Sequence, residues 1–344
     1  MYVLELAGQD DAFAAYEAES AATGVRLTGA GLATARAITG RVGRLAFTRR
    51  ASTLMGRTDA SVGSGEALLR AAALDRSGSV AVRAVDVRST TGVDTQRAER
   101  VLGGVLVDRG FTVDLENPDH ELRALFAGPP GASARESDDV DRAGEREGAE
   151  DDGLCALGWS TVESNREFAR RRPTDRPFFQ PGSMDPTLAR ALANVAGARE
   201  GRVVLDPMCG TGGLLVESDA VGARVVGADV QPRMVEGSRA NLDAALDGGF
   251  DVMRADARRL PFSDGAVDAV VVDVPYGRQS RIEGESLVDL VGEALTELSR
   301  VASRAVVVGD RSWTERARAV GWTVEATFER RVHRSLVRHV HVLV

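Results

Sequence analysis

The sequence predicts an α/β protein in which a doubly wound, mainly parallel sheet fills the C-terminal half and two smaller α+β units precede it. Two observations lead there. From Arg176 to the end, short apolar strands alternate with helical stretches, the pattern of a sheet whose ligands bind at the carboxyl ends of its strands. Ahead of that, helices and alternating strands mix without such regularity. With 344 residues, 43% of them apolar, two or three globular units are expected. Their bounds are read as 1–60, 61–170 and 171–344, with an acidic disordered insertion at 128–153.

The first unit reads as a strand at Tyr2 to Leu6, a helix at Ala12 to Thr23, and β-type runs at Arg26 to Thr28 and Leu45 to Thr48 flanking a helical Leu32 to Arg41. In the second, a helix near Gly65 to Asp75 precedes a strand at Ser79 to Val87, a helix at Thr95 to Gly110 and a strand at Phe111 to Leu115. The turn Asn117-Pro118-Asp119 leads into the apolar run Glu121 to Phe126. Between Gly128 and Gly153 there is almost no large apolar side chain, so burial cannot offset the entropy of ordering. The apolar stretch Leu154 to Val162 then reads as a returning strand, so the insertion interrupts a unit. Strands of the last unit are expected at Val203 to Leu205, Arg224 to Asp229, Asp251 to Met253, Ala266 to Asp273, Ala305 to Val308, Thr323 to Phe328 and Ser335 to Val344.

Composition limits the function classes. No run of about eighteen apolar residues is present, and no basic amino-terminal region with a cleavage site, so a cytoplasmic protein is expected. Cys155 and Cys209 lie far apart and outside any Cys-x-x-Cys pair, which argues against zinc ribbons and disulfide frameworks. A net charge of −8 sits oddly with a nucleic-acid ligand, since phosphate affinity comes from clustered cations. All 43 basic residues are arginine, however, and acidic residues and alanine abound. That is the style expected of an organism with a GC-rich genome and a salty cytoplasm, where surplus acid keeps proteins soluble in salt, so the total charge says little about the ligand. Local clusters such as Arg170-Arg171-Arg172 and Arg330-Arg331 say more.

Chemistry concentrates at four strand ends. Val203 to Leu205 runs into Asp206 and then Pro207-Met208-Cys209-Gly210-Thr211-Gly212-Gly213, a glycine turn that lets backbone pass close beneath a ligand. Nineteen residues after Gly210, Asp229 closes the next strand and is placed to accept from two ribose hydroxyls. A dinucleotide fold would want Gly or Ala where Leu215 stands. Asp206 suits the ammonium of an amino-acid cofactor, which nicotinamide lacks, and Asp256 suits the amine of adenine. S-adenosyl-L-methionine is therefore the expected cofactor, and Met208, Val230 and Ala257, beside these acids, are counted with its binding residues.

The fourth strand ends in Asp273-Val274-Pro275-Tyr276-Gly277. An exocyclic amine on an aromatic ring is a poor nucleophile because its lone pair is delocalised. Two acceptors, the Asp273 carboxylate and the Val274 carbonyl, would pyramidalise the nitrogen, and Tyr276 would stack on a base removed from its own stack. Pro275 stiffens the loop, and Asp273, which also borders the cofactor, is the group that could take the proton. Asp, Pro and Gly are also ordinary turn residues. The order of Asp206, Asp229, Asp256 and Asp273 along the strands favours a base-amine site. His333, His339 and His341 alternate near the C-terminus with no further ligand type beside them, so no metal is assigned and they are read as surface or interface residues. Cys209 is read as packing, while Arg278 and Arg281, after the catalytic loop, are read either as phosphate contacts or as ordinary solvated arginines.

These residues resemble class I methyltransferases whose motif is Asp/Asn-Pro-Pro-Tyr, with Val274 standing where the usual residue is proline. Arg176-Pro177-Phe178-Phe179-Gln180-Pro181-Gly182-Ser183-Met184-Asp185-Pro186, with Leu188-Ala189-Arg190-Ala191-Leu192, further resembles the segment ahead of the cofactor motif in the archaeal tRNA (guanine(10)-N2)-methyltransferase family. Val113-Asp114-Leu115-Glu116-Asn117-Pro118-Asp119 resembles a THUMP signature. The resemblance covers nearly the whole chain. It implies an N-terminal ferredoxin-like region, a THUMP domain that grips tRNA, a Rossmann-like class I methyltransferase sheet, and N2-methylguanosine as product, with N2,N2-dimethylguanosine as a further one. It also raises a small zinc-containing activator subunit as partner, the chain being a monomer or simple heterodimer. Methylation of guanine-N2 in ribosomal RNA or of adenine-N6 in DNA or RNA, and a catalytically silent tRNA-binding subunit, remain the alternatives.

Overall fold

The computed structural model describes residues 1–132, 153–276, 284–334 and 336–344. Most of the expected insertion, together with Gly277, Arg278 and Arg281, lies outside them. The chain forms two compact units, Met1–Asn165 and Arg166–Val344.

The first unit contains β1 (Tyr2–Leu6), α1 (Asp11–Glu19), β2 (Ala22–Thr23), β3 (Arg26–Gly29), β4 (Leu32–Ala35), β5 (Ala37–Ile38), β6 (Thr48–Asp59), α2 (Val62–Ala71), β7 (Ser79–Asp86), α3 (Thr95–Asp108), β8 (Thr112–Val113), β9 (His120–Ala127) and β10 (Leu154–Glu163). Eight strands form one sheet in the order β3-β4-β1-β6-β10-β9-β7-β8, so strands from 1–60 and from 61–163 share it. β10 returns antiparallel to β9 with Leu154 opposite Ala127, as the returning-strand reading expected. Helices start where side chains cap them: Asp10 accepts from the Phe13 N–H and Asp94 from the Arg97 N–H, filling donors that a first turn leaves unpaired.

Two expectations fail. Of the β-type run Leu45 to Thr48 only Thr48 lies in a strand, β6, which continues to Asp59. Leu32 to Arg41 is not helical but forms β4, β5 and a 3-10 turn at Gly40–Arg44. Gly31 has φ +70°, which turns the chain into a hairpin, and Leu32–Ala35 is fully buried between β3 and β1. Pairing on both edges overrides alanine's helix preference there. Buried carboxylates are satisfied: Glu17 accepts from the Ala46 and Phe47 N–H groups at 2.7 Å each, and Glu5 takes Arg123 at 2.9 and 2.7 Å.

The second unit contains α4 (Pro186–Ala196), β11 (Val203–Asp206), α5 (Gly213–Asp219), β12 (Arg224–Asp229), α6 (Pro232–Ala245), β13 (Phe250–Arg254), β14 (Ala269–Asp273), α7 (Gly284–Val301), β15 (Ala305–Gly309), α8 (Thr314–Ala319), β16 (Val324–His333) and β17 (Leu336–Leu343). Its seven-stranded sheet runs β13-β12-β11-β14-β15-β17-β16. The first five strands are parallel, and β17 and β16 form an antiparallel hairpin on the β15 edge. Strand order reverses between β11 and β14, which opens a crevice at their carboxyl ends. β14 and β15 are almost pure valine because both faces of a parallel strand are covered. α7 packs Leu287, Val291, Leu295 and Leu298, a stripe at helical spacing, with Val270, Val272 and Val307. Each such side chain contributes about 1.5–3 kcal/mol by burial, so the strand ends are held on a firm base.

Candidate active site

The site grows from the crevice. Asp206 ends β11 only 2% exposed, and its Oδ1 accepts from the Met208 N–H at 3.1 Å. Burial pushes its carboxyl well up, and the nearby charges of Asp229 and Asp273 add to that. Asp229, ending β12, accepts from the Gly210 N–H at 3.0 Å and the Gln231 N–H at 2.9 Å, which ties the glycine turn to the next strand end. Burial raises its carboxyl too.

The glycines divide their work. Gly210 (φ +51°) has only the Met208 carbonyl oxygen, at 3.9 Å, near where a Cβ would point, and it lines the crevice. Gly212 (φ +78°) lines neither cavity described below; its Cβ position is 3.4 Å from Ser238 Cβ, so it makes the turn into α5 beneath α6. Cys209 is buried with Leu215 and Val225, its thiol pushed up by burial, as a packing residue should be.

Two adjoining cavities fill the crevice. The larger, about 360 Å³, is walled by Asp229, Val230 and Gln231, by Asp256, Ala257 and Arg258, and by Asp273 to Tyr276. The smaller, about 190 Å³, is walled by Asp206, Thr211 and Gly213 and by Gln180, Ser183 and Met184. Both share Gly182, Met208, Gly210, Met234 and Asp273, so Asp273 stands where they meet. The structure thus brings together all the sequence-predicted residues except Gly212. Asp256 departs in detail: Arg258 Nε and Nη2 grip its carboxylate at 2.7–3.1 Å and hold it below the usual carboxylate range.

Asp273 is raised to about 6, first by burial and then by Asp310, against the lowering effects of Arg338 and the Tyr276 hydroxyl. Tyr276 Oη donates to Asp273 Oδ1 at 2.5 Å and accepts from Arg338 Nε at 2.9 Å. The Val274 N–H donates to the Val308 carbonyl at 2.9 Å, which anchors the loop on β15.

Several residues escaped sequence reasoning. Arg338, on β17, is one. Asn241, on α6, is another: Oδ1 accepts from the Phe178 N–H at 2.8 Å, while Nδ2 donates to the Phe178 and Thr211 carbonyls at 2.7 and 2.9 Å. This clamps the segment before α4 to the glycine turn. Among the histidines, His341 is not a surface residue. It is 1% exposed, its Nε2 accepts from the Trp313 N–H at 3.0 Å, and its Nδ1 lies 3.2 Å from the Val307 carbonyl.

The donors present suit a cationic cofactor. Asp206, Asp229 and Asp273 turn three carboxylates into one crevice, and among the described residues no cation pairs with Asp206. An ammonium and a sulfonium complete such a site, whereas a pyrophosphate would be repelled by it. Fold and site together define a class I S-adenosylmethionine-dependent methyltransferase. A family profile described as UPF0020, RMKL-like, methyltransferase domain, matches residues 173–340. The tRNA (guanine(10)-N2)-dimethyltransferase of Methanothermobacter thermautotrophicus is 35% identical over 266 residues, covering 76% of this chain and 72% of that protein. The protein of the same description from Methanocaldococcus jannaschii is 30% identical over 280 residues, covering 78% and 71%. The crystal structure of TrmN from Thermus thermophilus is similar at a TM-score of 0.49 and 20% identity, over 99% of this chain and 98% of that one. The chain belongs to the tRNA (guanine(10)-N2)-dimethyltransferase family. Among the described residues no helix is long and apolar enough to cross a membrane.

Proposed function

We propose that the protein methylates the exocyclic N2 amine of a guanosine in tRNA, at position 10, giving N2-methylguanosine and then N2,N2-dimethylguanosine. The observation that carries this reading is the position of Asp273, an acceptor at the junction of two cavities beside an aromatic ring. S-adenosylmethionine, when bound, supplies a methyl group on a sulfonium, an electrophile whose departure leaves a neutral thioether. Asp206 holds the ammonium end, Asp229 the ribose hydroxyls, and Asp256, with its partner Arg258, the adenine edge; Met208, Gly210, Val230 and Ala257 shape the walls, and Gly212 sets the turn.

Asp273 accepts one amine hydrogen of the guanine, and the Val274 carbonyl accepts the other, which localises the nitrogen lone pair. With Oδ1 already taken by Tyr276, Oδ2 is the oxygen left for the amine. After transfer the nitrogen is acidic, and Asp273, ionised at neutral pH, takes its proton. The Tyr276 ring stacks on the flipped base and Pro275 holds the loop stiff.

The domain reading is part of the proposal: a ferredoxin-like region over 1–60 and a THUMP unit over 61–170 bind tRNA, and 171–344 methylates it. Partners are tRNA and a small zinc-containing activator subunit, the need for which is read from turnover by the purified chain alone. Replacing Asp273 by Ala is expected to abolish methyl transfer while cofactor affinity stays nearly intact; retained turnover removes the mechanism. Mass spectrometry of tRNA nucleosides from a deletion strain should show loss of N2-methylguanosine mapped to position 10, and unchanged N2-methylguanosine removes the substrate.

A further inference from the structure

We propose that Arg338 is a positioning residue for methyl transfer: from β17 it fixes the Tyr276 hydroxyl on Asp273 and so leaves one carboxylate oxygen aimed at the incoming amine. The proposal rests on the base-amine reading above.

The geometry is that of one fork serving three segments. Arg338 Nε donates to Tyr276 Oη at 2.9 Å, and Nη2 donates to the Gly182 carbonyl at 3.3 Å while lying 3.7 Å from Asp273 Oδ2. The residue is 4% exposed. A guanidinium so deeply buried is costly unless charge and hydrogen bonds compensate it, and here the compensation comes from the reacting loop. Asp273 and Asp185 are the carboxylates that favour its charge.

The relay has a direction. Arg338 donates to the Tyr276 oxygen, so the phenol hydrogen is free to point only away from the arginine, and it points at Asp273 Oδ1. Without that donor the phenol can rotate, and Asp273 presents either oxygen, or both, to the base. Lysine cannot replace the fork, since a single ammonium nitrogen does not span the tyrosine and the glycine carbonyl in one plane. The fork also donates to the Gly182 carbonyl, but the segment bordering the cofactor is held separately by Asn241 at Phe178, so its position does not hang on Arg338 alone.

Among the described residues, the charged and titratable groups facing Asp273 are Arg338 from β17, Tyr276 from its own loop, Asp310 after β15 and Asp206 at the end of β11. Arg338 is the only cation of these four. Its removal therefore moves the ionisation of Asp273 upward, and so does loss of the Tyr276 hydrogen bond.

The test uses the full-length protein, labelled S-adenosylmethionine and an unmodified tRNA transcript. Arg338→Met is expected to lower kcat by about 10–100-fold, to leave the Kd for S-adenosylmethionine within about threefold, and to shift the acid limb of the kcat–pH profile to higher pH. Arg338→Lys should return the acid limb toward the wild type while kcat stays low. Tyr276→Phe, which keeps the arginine, should shift the limb in the same direction, and adding Arg338→Met to it should lower kcat by less than the product of the single effects. An unmoved acid limb in both Arg338→Met and Tyr276→Phe overturns the proposal, as does multiplicative loss in the double variant. If Arg338→Met does not fold, Tyr276→Phe decides by its acid limb and Arg338→Lys by its kcat: an unmoved limb in the first, or wild-type kcat in the second, overturns the proposal. Turnover by Asp273→Ala would instead overturn the base-amine reading beneath it.

Discussion

Asp273 carries opposing demands at one atom group. Its carboxyl is raised to about 6, so kcat is expected to fall about tenfold per pH unit once the pH drops below that value; a flat profile down to pH 5, measured by single-turnover methyl transfer, would contradict its role. The same shift acts on stability with a definite sign. A carboxyl raised in the folded state is protonated there while the unfolded chain has already ionised, so stability is highest below the unfolded value and declines up to about pH 6. Asp273→Asn is therefore expected to raise the stability of the folded protein at neutral pH by about 1–2 kcal/mol, part of the ~3 kcal/mol that a shift of this size implies, while removing activity. Thermal unfolding of the two proteins checks it, and a lower midpoint for the variant counts against it. The acids at strand ends could be found in the sequence because a strand end is a local feature. Arg338 could not, because its meeting with Tyr276 depends on a hairpin register 62 residues further along the chain. Its one local sign was an arginine inside the apolar alternation of Leu336 to Leu343.

At the scale of elements, α6 shows how packing alters a familiar rule. Glycine to alanine inside a helix normally stabilises by about 1 kcal/mol. At Gly237 a new Cβ would lie 2.1 Å from Phe178 Cδ1, against a ring that Arg233 also covers. The ring would have to leave, and with it the segment that Asn241 clamps to the glycine turn. Gly237→Ala is expected to weaken S-adenosylmethionine binding by about tenfold or more, measured by calorimetry, with the sheet intact by circular dichroism; unchanged affinity would show that the segment does not shape the cofactor pocket. Elements were legible to different degrees for a physical reason. Arg224 to Asp229 is legible residue for residue, since a buried apolar parallel strand that ends in an acid has a distinctive pattern. Leu32–Ala35 is not, because its strand state is imposed by β1 and β3 and not by its own residues.

At the scale of the whole molecule, charge is the dominant feature. With a net charge of −8 and every base an arginine, self-repulsion is screened by salt, and exclusion of salt from the surface favours the compact state. The unfolding midpoint is expected to rise from dilute buffer to molar potassium chloride, and a midpoint that falls would remove the halophilic reading. The paired ends at Ala127 and Leu154 have a consequence of another kind. They are held side by side by the sheet, so whatever joins them only has to close a short gap, and the entropy of closing a loop grows slowly with its length. Residues 133–152 should therefore be exchangeable for a short Gly-Ser bridge with a stability change of about 1 kcal/mol or less, checked by denaturant unfolding, and a larger loss would show that the segment packs. A reporter domain or spin label could then be carried between these two ends while β9 and β10 stay paired.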